Sequence, residues 1–189
     1  MEKKVDLRII KTQAKLTDAL GSMMKEVPFD DVTVFELCEN AGVRRATFYK
    51  HFNDKYDFLK SIVNKQIADI ASELSSKCDL SNPVEYFVLY VKGVIKYFED
   101  RPEILSNILE SSAFHVIFDI ITSCTHVSLI SNINDAKIKG ADIHTDTEIT
   151  ASFINGGIAT LLLSWFRTKH ISEEALISEI QELLEKFFV

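Results

Sequence analysis

Six polar side chains able to bind phosphate groups and base edges occur within eight consecutive residues in the first third of the chain. They are Arg44, Arg45, Thr47, Tyr49, Lys50 and His51. Guanidinium, ammonium, hydroxyl, phenol and imidazole groups all donate hydrogen bonds to phosphates, and guanidinium also pairs with the edge of guanine. This cluster indicates contact with a nucleic acid. The alternative is an ordinary solvated helix face, with Tyr49 as a half-buried core aromatic and His51 as a helix C-cap.

The residues on either side of Gly42 have the pattern of two short helices. Thr33 and Glu36 have the spacing of a capping box, which predicts a helix that begins after Thr33. Gly42 can adopt the left-handed conformation that ends such a helix. In the second helix, Phe48 and Phe52 are four residues apart and would point together towards a core. The segment is therefore predicted to be a helix-turn-helix whose second helix exposes the polar cluster.

The charge of the chain is unevenly distributed. The formal net charge is −7 over 189 residues, yet residues 1–60 hold eleven Lys and Arg against ten Asp and Glu. The acidity therefore belongs to residues 61–189. A charge of about +1 on the first 60 residues is too weak for a strongly basic, non-specific nucleic-acid binder. Binding would depend on a few placed groups.

Composition and cysteine usage narrow the class of protein. Six Gly and three Pro, with little β-type alternation, predict an all-α fold. The cysteines Cys38, Cys78 and Cys124 are widely separated, which predicts neither a disulfide framework nor a zinc site. The chain begins without a signal sequence, and no uninterrupted apolar run reaches about 18 residues. We expect a soluble, cytoplasmic protein that does not contact a membrane.

Start and stop signals predict about nine helices in two domains, 6–60 and 61–189. The first helix covers 6–27, and the helix after the helix-turn-helix runs to about Cys78. Asn82 followed by Pro83 starts a helix to about Asp100, and Pro102 starts a short one. Further helices are predicted over 112–131, over 145–169 with Thr145 and Glu148 as capping box, and after Ser172. Residues 132–144 are predicted to be the longest loop.

The joint pattern of residues 33–55 resembles the DNA-binding domain of TetR-family transcriptional regulators. The pattern is Thr-x-x-x-Leu, then Ala-Gly-Val, then Thr-Phe-Tyr-x-His-Phe-x-x-Lys. The order of predicted helices is similar to that family over essentially the whole chain. The resemblance implies a three-helix DNA-binding domain, a C-terminal helical bundle for dimerisation and ligand binding, and a homodimer that binds a palindromic double-stranded DNA operator, more often as repressor than as activator.

The resemblance also implies a role for each residue of the motif. The positions matching Arg44, Arg45 and Ala46 face base edges in the major groove, and Arg45 is the first choice for a bidentate contact to guanine. The positions matching Thr33, Thr47, Tyr49, His51 and Lys55 meet the DNA backbone, and Lys50 lies on the same polar face. Phe35 is a departure, since many relatives carry a polar or basic residue there. It cannot donate a hydrogen bond to phosphate.

The last two predicted helices carry a pattern typical of a subunit interface. Small residues let two helix backbones approach closely, and an apolar stripe on the final helix would complete half of a four-helix bundle. The candidate interface residues are Phe153, Gly156, Gly157, Thr160, Leu161, Leu176, Ile180 and Leu184. The alternative is that these residues pack only within their own chain.

The region 82–131 is rich in Phe, Tyr and Ile, and the family resemblance implies an effector pocket there. The candidate lining residues are Phe87, Tyr90, Phe114 and Phe118. Their apolar character favours a small, apolar organic effector. Two alternatives are a solid aromatic core and an adaptor or activator whose C-terminal domain binds another protein. Cys124, His126 and His115 form no recognisable catalytic or metal constellation, so we expect no enzyme activity, no cofactor and no metal.

Overall fold

The computed structural model describes residues 7–75 and 82–187, and within them the fold is all-α. Nine α-helices and one 3-10 helix, Phe29–Asp31, occur in the described residues. The α-helices are α1 Leu7–Met23, α2 Val34–Ala41, α3 Arg45–Tyr49, α4 Lys55–Ser75, α5 Pro83–Glu99, α6 Pro102–Glu110, α7 Phe114–Ile138, α8 Thr147–Thr168 and α9 Glu173–Phe187. The predicted fold class is confirmed. The predicted end of α4 near Cys78 lies outside the described residues.

The chain divides into two compact units. The first comprises the chain up to Ile62 together with Arg101–Asp119, and the second comprises Val63–Asp100 and the chain from Ile120 onward. The segment Arg101–Asp119 thus groups in space with the N-terminal unit, although it follows residue 60 in sequence. Helices α4 and α7 each contribute residues to both units.

Each unit has its own apolar core. In the first unit, α1 packs on α2, and Leu16, Phe29, Leu37, Phe48 and Phe58 are almost completely buried. In the second, α5 packs on α9, and the core includes side chains of α5, α7, α8 and α9. The side chains of Cys38 and Cys124 are buried. Burying an aliphatic or aromatic side chain stabilises the fold by about 1.5–3 kcal/mol, so these clusters provide most of the driving force for folding.

Local capping signals fixed several helix ends as predicted. The Asn82 side chain accepts a hydrogen bond from the Glu85 amide, and Pro83 occupies the first turn of α5. The Ser172 hydroxyl accepts from the Ala175 amide at the start of α9. Helix α1 ends at Met23 and is followed by a turn, four residues before the predicted end.

Two predictions about the α7–α8 region were wrong. Helix α7 runs to Ile138 rather than residue 131, because Ile133 and Ala136 continue its buried face and Gly140, with a φ of 96°, lies just beyond its end. The N-cap of α8 is Asp146, not Thr145. The Asp146 carboxylate accepts from the amides of Glu148 and Ile149, whereas the Thr145 hydroxyl bonds to the Thr150 hydroxyl.

Candidate nucleic-acid interface

The turn between α2 and α3 is set by residues that act locally. The Thr33 hydroxyl accepts from the Glu36 amide and the Glu36 carboxylate accepts from the Thr33 amide, which completes the predicted capping box. Gly42 has a φ of 61°, and its amide donates to the carbonyls of Cys38 and Glu39. A residue without a Cβ adopts this conformation at little cost. The predicted helix-turn-helix is therefore present.

Gly42→Ala is expected to lower the free energy of unfolding by about 1 kcal/mol. A Cβ at Gly42 would meet no atom within 4 Å, so backbone strain alone would cause the loss. The matched control is Gly21→Ala in α1, where a Cβ also meets nothing within 4 Å. That change should raise stability by about 0.5–1 kcal/mol, because alanine favours the helix. Urea denaturation measures the free energy of unfolding of both variants. Changes of the same sign in the two would contradict the strain argument.

Helix α3 has five residues and is held in place by aromatic packing. The Phe48 ring lies 5.7 Å from Phe58 and 5.4 Å from Phe52 between centroids, and Phe52 lies 4.8 Å from Phe58. All three side chains are buried. Such a short helix would not be stable alone in water, so this cluster determines how α3 presents its other side.

The outer side of α3 is polar and accessible. Arg44, Arg45, Ala46, Tyr49 and Lys50 are exposed, and Thr47 and His51 are partly exposed. Tyr49 is 57% exposed and therefore not a core residue. The C-cap of α3 is Lys50, so the C-cap alternative for His51 does not hold. Among the described residues, no carboxylate forms an ion pair with Arg44, Arg45 or Lys50. The sequence-predicted groups are thus brought together on one open face.

Arg45 has one defined contact on this face. Its guanidinium carbon lies 5.4 Å from the centroid of the Phe35 ring, within the range of a cation–π interaction. The Arg45 charge also acts to lower the pKa of Cys38, although burial outweighs it and raises the pKa of that thiol overall. The Arg45 side chain therefore lies close to α2, near Phe35 and Cys38.

In the observed arrangement the Lys55 ammonium is bound within its own chain, and its predicted contact with the DNA backbone stays a prediction. The Lys55 ammonium donates to the carbonyls of Phe29, Asp30 and Val32 at 2.9, 2.7 and 3.0 Å. An ammonium has three protons, so all of its donors are in use. Burial lowers the pKa of Lys55, against the opposing effect of the Asp30 and Asp31 charges. Lys55 ties the start of α4 to the 3-10 turn.

Lys55→Met is expected to lower the free energy of unfolding by about 1–3 kcal/mol, because three carbonyls lose a charged donor. It should leave the salt dependence of DNA binding unchanged. The matched control, Lys50→Met, removes an exposed cation. That change should leave stability within about 0.5 kcal/mol and reduce the salt slope by about one. A Lys55 variant with unchanged stability and a smaller slope would restore the phosphate interpretation.

The Thr33 side chain also has a hydrogen-bond partner within its own chain. Its hydroxyl donates to the Glu36 carboxylate at 2.7 Å, and this bond is the largest cause of the lowered pKa of Glu36. The hydroxyl proton is therefore already used in the free chain, and the predicted contact with the DNA backbone stays a prediction. The backbone-binding groups that remain accessible are Thr47, Tyr49, Lys50 and His51.

Asp30 is a structurally central residue that the sequence analysis missed. Its carboxylate accepts hydrogen bonds from both the amide and hydroxyl of Ser112, at 2.6 and 2.7 Å, and from the Ser111 hydroxyl and the Ala113 amide. These groups immediately precede α7. The Asn107 amide of α6 donates to the Met24 carbonyl. These bonds attach the segment Arg101–Asp119 to the helix-turn-helix, and residues some 80 positions apart give no local signal.

Asp30→Asn is expected to lower the free energy of unfolding by about 1 kcal/mol near neutral pH. The Ser112 hydroxyl bond is the main cause that lowers the pKa of Asp30. A lowered folded-state pKa means that the stabilisation is present above the unfolded value, about 3.9, and is lost as pH falls through the folded value. The difference in free energy of unfolding between wild type and variant should therefore narrow as the pH falls below about 4. Urea titrations from pH 7 to 3 measure it, with Asp18→Asn on α1 as control. A pH-independent difference would contradict this role.

The two predicted parts of the dimer interface have different environments. On α8, Phe153 is 67% exposed, Thr160 and Leu161 are exposed, and a Cβ at Gly156 or Gly157 would meet nothing within 4 Å. On α9, Leu176, Ile180 and Leu184 are buried in the second core. These three side chains lie in the core of their own chain, where α9 packs on α5, and their predicted subunit contact stays a prediction. The α8 face is open, and on α9 Leu183 is 58% exposed.

The predicted effector-pocket residues are divided between the two units. Phe87 and Tyr90 are buried in the core of the second unit. Phe114 and Phe118 belong to the first unit and stack on each other with centroids 5.6 Å apart. The Tyr90 hydroxyl is 3.5 Å from the Thr125 hydroxyl, and burial raises the pKa of the phenol.

Helices α7 and α8 are long and apolar enough, by length and composition, to cross a membrane. Core helices of soluble proteins also have this length and composition. Both helices also carry side-chain hydrogen bonds, from Asn155 to the Thr122 carbonyl and between His126 and Glu148.

Comparison with known proteins identifies regulators as relatives. Residues 16–62 match the model for bacterial regulatory proteins of the tetR family. The helix-turn-helix-type transcriptional regulator YxbF of Bacillus subtilis is 23% identical over 167 residues. The match covers 86% of this chain and 41% of YxbF, so the chain spans about two fifths of that relative.

Solved structures show the same fold. Lin0861 from Listeria innocua has a TM-score of 0.69 at 21% identity, covering 99% of this chain and 96% of that one. RolR in complex with resorcinol has a TM-score of 0.63 at 14% identity, covering 93% and 88%. The matching family model and YxbF are both described as regulators.

Proposed function

We propose that the chain, whose residues 16–62 match the model for bacterial regulatory proteins of the tetR family, is a TetR-type regulator that binds a palindromic DNA operator as a homodimer and represses transcription in the cytoplasm. The observation that supports this most strongly is the open polar face of α3, whose position is fixed by buried Phe48, Phe52 and Phe58. A recognition helix needs a rigid support and free donors, and α3 has both.

The donors on α3 fall into two groups by chemistry. Arg44 precedes the helix and Arg45 begins it, and both would enter the major groove. There Arg45 would pair with guanine and Ala46 would contact a thymine methyl. Thr47, Tyr49, Lys50 and His51 would bind phosphates and fix the register of the protein on the duplex. With only a few cations, affinity would depend on correct placement more than on total charge.

Dimerisation is proposed to occur through the exposed face of α8. Ile149 and Phe153 are 69% and 67% exposed, and Gly156, Thr160 and Leu161 extend the same surface. Exposed apolar side chains beside glycines suit close packing of two helices. Two-fold symmetry would place the two α3 helices about 34–36 Å apart or a multiple of this, which matches successive major grooves.

We propose that a small organic effector controls binding from the second unit, around Phe87 and Tyr90. Phe114 and Phe118 are not included, because they belong to the other unit. The Tyr90 phenol has only a long bond to Thr125, whose hydroxyl donates to the Ile121 carbonyl at 2.7 Å, so the phenol could bind a polar group of a ligand. RolR, which shares the fold, was solved with a small phenol. Since α4 runs through both units, its displacement would move the helix-turn-helix.

The alternative is an adaptor or activator whose second unit binds a protein partner. The observation in its favour is that Phe87, Tyr90 and Val91 are buried members of a continuous core, while Val127 and Ile138 on α7 are 69% and 83% exposed. A thermal-shift panel of phenols and other small organic molecules separates the two. Stabilisation by a compound that also alters operator binding, and that is lost in Tyr90→Phe, supports the sensor. If no compound in the panel is active, the result supports the adaptor.

The experiment that tests regulation is capture of sheared genomic DNA from the source bacterium by the purified protein at about 0.15 M salt. A regulator should enrich a few discrete loci in promoter regions. The control is a variant in which Arg44, Arg45 and Lys50 are replaced by alanine, which should enrich none. Uniform recovery of all fragments by the wild-type protein would contradict the proposal.

A further inference from the structure

Phe35 is a large apolar side chain of α2 that is not buried in the core. The buried face of α2 is formed by Leu37, Cys38 and Ala41, whereas Phe35 is 52% exposed. It lies on the helix-turn-helix surface and cannot donate a hydrogen bond to DNA. An exposed phenylalanine at this place contributes little to the core, so its contact with Arg45 is its most informative property.

The contact between Arg45 and Phe35 is compatible with base binding by Arg45. The guanidinium carbon lies over the Phe35 ring at 5.4 Å from its centroid. A guanidinium stacks through its flat face, whereas its N–H donors point outward in its plane. A guanidinium stacked on Phe35 at this distance would occupy its face and leave the edge that would pair with guanine.

The surroundings do not offer Arg45 a competing partner. Within the described residues Arg45 has no ion pair, and the Glu36 carboxylate next to Phe35 is held by the amide and hydroxyl of Thr33. The capping box therefore keeps the Glu36 carboxylate occupied. Phe35 is then the side chain that limits the conformations of Arg45 before binding.

We propose that Phe35 is a positioning residue for Arg45 in operator recognition, and this proposal rests on the proposed function. An arginine side chain loses rotamer entropy when it is fixed, and a stacked guanidinium has lost part of this freedom already. Phe35 thus replaces a polar phosphate contact from α2 with preorganisation of the base-reading group.

The test is a double-mutant cycle on duplex binding, with Phe35→Ala, Arg45→Ala and the pair. Phe35→Ala should weaken binding about two- to fivefold and reduce discrimination at the base that Arg45 contacts, with the salt slope unchanged. In the Arg45→Ala background it should have no further effect. Phe35→Tyr should retain wild-type binding, and Phe35→Leu should behave like alanine. Equal losses in both backgrounds would overturn the proposal, as would no loss.

A second measurement does not require DNA. The NMR order parameter of the Arg45 Nε–H in the free protein should fall in Phe35→Ala and be retained in Phe35→Tyr. An unchanged value would overturn the positioning role. Because Phe35 is half-exposed, the thermal midpoint should stay close to wild type. If the wild-type protein binds no specific sequence, the proposed function fails. If it binds specifically but shows no coupling between Phe35 and Arg45, only this inference fails.

Discussion

Gly157→Leu is expected to convert the homodimer into a monomer and to weaken operator binding by about 10²–10⁴-fold, because a bivalent contact becomes a single one. Within the protomer a Cβ at Gly157 meets nothing within 4 Å, so the fold itself accepts a larger residue. Against a second α8, the leucine would prevent close approach of the two backbones. The size of the effect reflects the loss of one recognition helix from every complex.

Sedimentation and operator titration measure the two consequences. The matched control is Gly21→Leu on α1, another helical glycine whose Cβ would meet nothing within 4 Å. The control should remain a dimer and bind the operator as the wild type does. The Gly157 variant should be at least as resistant to unfolding per protomer, since leucine is about 0.8–1 kcal/mol better than glycine in a helix. A Gly157→Leu dimer of normal affinity would exclude α8 as the interface.

Arg45→Ala is expected to weaken operator binding by about 1–3 kcal/mol and to relax preference at one base step in each half-site. The exposed guanidinium begins α3 and has no ion-pair partner among the described residues. Its loss would leave the acceptors of one guanine unpaired in the complex. The measurement is the affinity for the operator and for duplexes altered at each position of the half-site.

Arg45→Lys is the control that separates base reading from charge. Lysine keeps the charge and therefore the salt slope, but it lacks the planar fork needed for two parallel hydrogen bonds. We expect it to retain non-specific binding while losing most of the discrimination. If Arg45→Ala weakens all duplexes by the same factor, Arg45 binds phosphate and does not read a base.

Features encoded by neighbouring residues were predictable from the sequence. The capping box of Thr33 and Glu36, the left-handed Gly42 and the Asn82 cap all arise within four residues of the helix ends they control. The paired burial of Phe48 and Phe52 followed from helical spacing. For the same reason the polar face of α3 could be assigned, because the side of a short helix opposite two buried aromatics is exposed.

Interactions between distant residues were not predictable in this way. Lys55 has a side chain and a position suited to binding phosphate. Its ammonium is nevertheless held by carbonyls 23–26 residues earlier in the chain. Asp30 accepts from groups more than 80 residues away. The apolar stripe of α9 was recognisable, but a stripe does not specify its partner, which is α5 of the same protomer.

The most direct test of a dimeric, sequence-specific regulator is repeated selection of bound duplexes from a pool with about 30 random base pairs, a length that spans two half-sites one helical turn apart. We expect one enriched palindrome with a guanine at the same place in both half-sites. Arg45→Ala should lose preference at that symmetric pair. Sequences enriched without two-fold symmetry, or no enrichment over the starting pool, would contradict the account.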